Sequence, residues 1–94
     1  MSLRFEWDED KAASNLNKHG VDFYEAQSVF GDSQSLTILD EQHSDQEERF
    51  IDIGLSPIGR LLAVVYAERD DRIRIISCRP ATSNEIDQYE RQGR

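Results

Sequence analysis

Leu61-Leu62-Ala63-Val64-Val65-Tyr66 is apolar at six consecutive positions. Side chains on a strand alternate between faces, so a continuous apolar run belongs where both faces are covered. The run is far short of the ~20 apolar residues of a membrane span. It therefore predicts a central strand, and the rest of the chain must supply its neighbours and its cover. With 94 residues, the chain has room for one small domain, residues 1–94, and for one core.

The segments around that strand read in order. Arg4-Phe5-Glu6-Trp7 alternates polar and apolar and predicts a short strand. Asp8 is placed to cap a helix that runs through Lys18 and stops at His19-Gly20. Asp22 and Glu25 have capping-box spacing, and Phe23, Ala26, Val29 and Phe30 follow as the apolar stripe of a second helix. Ser35–Asp40 is β-biased, and the acidic stretch 40–48 reads as a solvated loop or a single helical turn. Arg49–Leu55 carries Ile51, Ile53 and Leu55 on one face. Ser56-Pro57-Ile58-Gly59 and Arg69-Asp70-Asp71 are turns on either side of the central strand. Arg72–Cys78 is the last strand, and Thr82 with Glu85 caps a final helix to about Arg91. The expected fold class is α+β: an antiparallel sheet with two N-terminal helices and one C-terminal helix.

Charge divides the chain. The formal net charge is -8, which argues at first against a phosphate-binding partner. Residues 1–47 hold three basic and eleven acidic groups, whereas residues 48–94 hold eight of each. All eight basic residues of the second half are arginines, whose planar fork can pair two phosphate or carboxylate oxygens at once. Any phosphate-binding surface is thus expected on the strand half, away from the acidic loop at 40–48.

Few residue types are left to carry chemistry. The two histidines are isolated, Cys78 is single, and no metal-ligand cluster, glycine-rich phosphate loop or nucleophile elbow is visible. A lone cysteine fits a reducing, cytoplasmic setting, and no leader or membrane segment is evident. Strict alternation puts Arg72, Arg74, Ile76 and Cys78 on one face of the last strand, with Ile73, Ile75 and Ser77 on the other. The two arginines are either a positive patch or solvent-exposed partners of Glu68 or Asp52. His19 is either a favourable cation at a helix C-terminus or an acid–base group. Tyr66 either packs mid-strand or turns its hydroxyl to a groove. Cys78 reads as a small core filler, and His43 as an exposed loop residue.

Taken together, the ordered motifs resemble the BrnT family of type II toxins. They are Phe5-Glu6-Trp7-Asp8, Lys11, Asn15-x-x-Lys18-His19-Gly20-Val21, Phe23-x-Glu25-Ala26-x-x-Val29-Phe30, Glu48-Arg49-Phe50, Gly59-Arg60 and Arg72-Ile73-Arg74-Ile75-Ile76-Ser77. The resemblance runs almost end to end, with Cys78 where the family usually has Ala.

The resemblance implies a RelE-like fold and an endoribonuclease that arrests translation without a cofactor. It also implies inhibition by a BrnA-type ribbon-helix-helix antitoxin, with DNA contacted only through that antitoxin. Cleavage by attack of the 2′-hydroxyl needs a base, an acid and positive donors around the phosphate. On this reading His19 transfers protons and Arg49 and Arg79 stabilise the transition state. Lys18, Arg72 and Arg74 hold flanking phosphates, and Tyr66 stacks a base or donates a hydrogen bond. The alternative is a catalytically inactive homologue that serves only as the antitoxin-binding half of an autorepressor.

Overall fold

In the computed structural model, which describes residues 3–43 and 47–92, the apolar run lies in the central strand of a five-stranded sheet. The strands are β1 (Arg4–Glu6), β2 (Leu36–Leu39), β3 (Arg49–Leu55), β4 (Leu61–Arg69) and β5 (Arg72–Pro80). Their order across the sheet is β1-β5-β4-β3-β2. Three helices complete the described chain: α1 (Glu9–His19), α2 (Phe23–Ser28) and α3 (Ser83–Gln92). Short 3-10 turns follow α2 at Val29–Gly31 and follow β2 at Glu41–His43. The side chain of His43 lies outside the described residues.

The helices begin and end where local chemistry dictates. The Asp8 carboxylate accepts from the Asp10 and Lys11 amides at 2.8 and 3.2 Å. Gly20, at φ +71°, closes α1 by donating its N–H to Leu16 O. Asp22 accepts from the Glu25 amide, but Glu25 does not return the bond to form a box; its carboxylate is held by Arg60 and Ser56. The Thr82–Glu85 box is complete: each side chain accepts from the other's amide.

One face of the sheet is sealed by α1 and α2. Val21, Phe23, Ala26 and Val29 meet Leu62, Val64, Tyr66, Ile73, Ile75 and Cys78 in a single core. Gly54 is required there, because a Cβ would come 2.7 Å from the Val29 Cγ1. On the other face, α3 starts beside β5 and reaches the far edge, where Tyr89 donates to Asp32 at 2.6 Å and Gln92 donates to the Gln34 carbonyl. It packs against β3 at one end of that face.

Two expectations need correction. The sheet is mixed: β2, β3, β4 and β5 are antiparallel, but β1 joins β5 in parallel, with Glu6 opposite Arg74. The helices between β1 and β5 make such a crossover possible, and nothing local in Arg4–Glu6 signals its direction. Second, β5 does not alternate strictly. Val65 pairs with Ser77 and Tyr66 with Ile75, so Ile76 is an extra residue in a bulge. Beyond the bulge the faces exchange. Cys78 joins Ile73 and Ile75 in the core, while Ser77 and Arg79 join Arg72 and Arg74 on the opposite face.

Candidate functional site: an arginine row on the open sheet face

Registered strand neighbours share a face, so the pairing defines the open surface row by row. One row reads Arg49, Ala67, Arg74, Glu6 across four strands. The row outside it is Arg69, Arg72, Arg4, next to the β4–β5 turn. The row inside it is Ile38, Ile51, Val65, Ser77, all half-buried. Adjacent strands lie about 4.8 Å apart, so the Arg49 and Arg74 Cα atoms are roughly 10 Å apart across buried Ala67. That spacing suits two long guanidinium side chains converging on one anion.

Carboxylates preset these arginines. Glu6 bridges two of them, accepting from Arg72 Nη1 and from Arg74 Nη1, both at 3.1 Å. Those bonds hold the Glu6 carboxyl below its ordinary range. Glu47 takes two bonds from Arg69, at 3.1 and 3.3 Å, and is likewise held low, with Arg49 and Arg74 adding to the field. Arg4 and Arg72 also approach Asp71, at 3.8 and 3.9 Å. Among the described residues, five arginines gather at this end of the sheet, with Glu6, Glu47 and Asp71 among their partners, and Glu68 and Asp70 border the same depression as Arg4 and Arg72. Arginine is concentrated on this surface, although the chain as a whole is acidic.

The residues singled out from sequence separate into groups. Arg49, Arg72 and Arg74 come together, though the partner of Arg72 and Arg74 is Glu6 rather than Glu68 or Asp52. Parallel β1 brings Glu6 there, while Asp52 faces the helices and is 3% exposed. Arg79 shares the open face but stands at its other end, roughly 15 Å along β5 from Arg74. Its guanidinium is committed to Glu85 by two bonds, at 2.7 and 3.0 Å, which raise the arginine and lower the carboxylate. It anchors the first turn of α3.

His19 and Lys18 lie elsewhere. They end α1 on the helix-covered side, where the following Gly20 carbonyl accepts from Arg60 Nη2 at 3.1 Å. Tyr66 is on that side too, 5% exposed and packed edge-on against Phe30 at 5.0 Å. Burial pushes its hydroxyl upward, and the core, not the open face, uses its ring. The acidic loop is not remote from the basic surface either, since Glu47 at its end pairs with Arg69.

Sequence reasoning missed Glu6, Glu47 and Arg69 as members of this surface, because β1 pairing and the loop's return are tertiary facts. It also missed the role of Asn15. This buried side chain donates to Cys78 O at 2.8 Å and Val21 O at 3.0 Å, and accepts from Cys78 N at 3.0 Å. It thereby completes the edge of β5 beyond the reach of β1. Among the described residues, no three His, Cys, Asp or Glu side chains gather as metal ligands.

The fold is shared with a solved protein structure. The crystal structure of the Brucella abortus ribonuclease toxin BrnT superposes with a TM-score of 0.66, covering 87% of this chain and 100% of that one. The two are 22% identical, a level at which the likeness concerns the fold. No curated protein matches the chain by sequence. The family model described as the ribonuclease toxin BrnT of type II toxin–antitoxin systems matches residues 7–85. That match spans both N-terminal helices, the last four strands and the start of α3, and the chain belongs to the BrnT toxin family.

Proposed function

We propose that this chain is an active toxin: a metal-independent endoribonuclease that arrests translation and is neutralised by a BrnA-type ribbon-helix-helix antitoxin. DNA is contacted only through that antitoxin. The observation that carries the reading is the arginine row on the uncovered part of the sheet. Arg49 and Arg74 flank one phosphate, and Arg69 and Arg72 continue the positive surface along the strand ends. Half-buried Ile51 and Val65 offer an apolar floor to a sugar or base beside it.

Cleavage on this surface follows the 2′-hydroxyl route. The 2′-oxygen attacks phosphorus, the bond to the 5′-oxygen breaks, and the products are a cyclic phosphate and a 5′-hydroxyl. The 2′-hydroxyl proton passes to a base, and a proton returns to the leaving oxygen. Guanidinium groups stabilise the extra negative charge on the non-bridging oxygens, which is the largest contribution such a site can make. Glu47, facing Arg49, Arg69 and Arg74, is the carboxylate placed to take the proton once a phosphate competes for Arg69. His19, Lys18 and Tyr66 have supporting rather than catalytic positions in this scheme, and Arg79 holds α3.

The experiment is expression of the chain without antitoxin, with purified protein then incubated with RNA in EDTA. Growth arrest and RNA cleavage are expected, and Arg74→Ala relieves both. Intact RNA across several substrates, with normal growth, would sink the nuclease reading and favour the inactive autorepressor subunit.

A further inference from the structure

We infer that the groove running over α1, α2 and β1 is a docking site for a basic amphipathic segment of a partner protein. It lies on the far side of the sheet from the arginine row and does not depend on the nuclease reading.

The surface is apolar and uncovered. Tyr24 is 73% exposed, Leu3 54% and Leu16 49%. They are not scattered. Leu3, Phe5, Tyr24 and Phe30 line a depression of about 340 Å³ between β1 and α2. Trp7, Ala12, Ala13, Leu16 and Tyr24 line a second, of about 210 Å³, between α1 and α2. Tyr24 is their common wall. Its ring is fixed edge-on to Trp7, with centroids 5.2 Å apart, and Trp7 is edge-on to buried Phe23 at 5.8 Å. An aromatic wall between two apolar hollows is what a pair of apolar anchors on one helical segment would straddle.

Charge selects the occupant. Glu9 and Asp22 line the second hollow. Asp8 and Asp10 stand beside Glu9 at the exposed start of α1, with Lys11 as the one basic neighbour in that turn. The carboxylates are already placed: Glu9 accepts from the Trp7 indole at 2.9 Å and Asp8 caps the helix. An apolar floor with an acidic rim suits a segment with leucine-like anchors and lysine or arginine flanks, and it repels nucleic acid and acidic peptides.

The test uses the full chain and two labelled peptides followed by fluorescence anisotropy: a short helical Leu/Lys peptide and its Leu/Glu counterpart. The lysine peptide binds and the glutamate peptide does not. Leu16→Glu then weakens binding about tenfold, because it removes an apolar contact. This variant adds negative charge, so attraction by charge alone would strengthen binding instead. Ile58→Glu makes the same charge change at the distant β3–β4 turn, where Ile58 is exposed, and does not weaken binding. Unchanged thermal melting shows that both surface variants fold. Equal binding of the two peptides, or binding undiminished by Leu16→Glu, would overturn the assignment.

Discussion

Replacing Asn15 by leucine should cost about 3 kcal/mol of stability. Leucine keeps the branched four-heavy-atom side chain with bulkier methyl groups, so the change opens no cavity, and any overpacking adds to the polar cost. Asn15 is 6% exposed and makes three hydrogen bonds of 2.8–3.0 Å. Its loss leaves the Cys78 N–H, the Cys78 carbonyl and the Val21 carbonyl without that partner. A stranded buried polar group costs roughly 1–3 kcal/mol, with carbonyls at the lower end. Three groups at about 1 kcal/mol each give the figure. A chain of this size is stable by about 5–14 kcal/mol in all, so the fold survives but weakens visibly. Urea unfolding followed by far-UV circular dichroism should show the midpoint falling by roughly 2 M, taking a slope of about 1.5 kcal/mol/M. Asn15→Asp provides a sharper control. It keeps the acceptor for Cys78 N–H but turns a carboxylate towards two carbonyls, so it should be more stable at pH 4 than at pH 7 relative to the parent. An Asn15→Leu variant within about 0.3 M of the parent midpoint, on the same slope, would refute the claim that this amide closes the β5 edge.

Other consequences follow from single contacts. Arg79→Met should lower stability by about 2 kcal/mol in denaturant unfolding, less than for a fully buried pair because the arginine is one-third exposed. Asp52 is buried, and desolvation pushes its pKa up to about 6 from 3.8. It binds its proton more tightly folded than unfolded, so stability falls as pH rises from about 4 to 6 and stays lower above that. Asp52→Asn should therefore gain up to about 3 kcal/mol at pH 7 and nothing near pH 4, checked by melts across pH; a gain independent of pH would contradict it. Gly54→Ala should cost about 1–3 kcal/mol, since its methyl must displace fully buried, β-branched Val29. A thermal midpoint equal to that of the parent would show that the helix layer gives way freely.

What was legible in the sequence was local or strongly periodic. Leu61–Tyr66 announced the central strand, and Asp8, Gly20 and the Thr82–Glu85 pair marked helix ends that the structure places within a residue or two. The arginine-rich second half pointed to the basic face despite the net charge. What the sequence does not reveal is long-range. One extra residue, Ile76, exchanges the faces of β5, and period-2 counting cannot see a bulge that only the partner strand defines. The direction of β1 decides that Glu6 reaches Arg72 and Arg74, yet three alternating residues carry no sign of parallel or antiparallel pairing. Arg79 stands at a strand end, and its partner, six residues on in α3, is also a capping residue, a double use that sequence spacing does not show. His19 ends α1 on the helix side of the sheet, apart from the arginine row, a placement that its residue type and sequence position do not reveal.

On the proposed function, Arg49 and Arg74 hold the reacting phosphate, whereas His19 and Arg79, which the family resemblance offers as proton-transfer group and second transition-state donor beside Arg49, take no part in the chemistry. The most direct test is the rate of RNA cleavage in EDTA by purified single variants, each confirmed to be folded by its thermal melt. Arg49→Ala and Arg74→Ala should each lose roughly 100-fold or more, whereas His19→Ala and Arg79→Met should stay within a few-fold of the parent. Near-parental cleavage by Arg74→Ala together with loss of activity in His19→Ala would contradict the account.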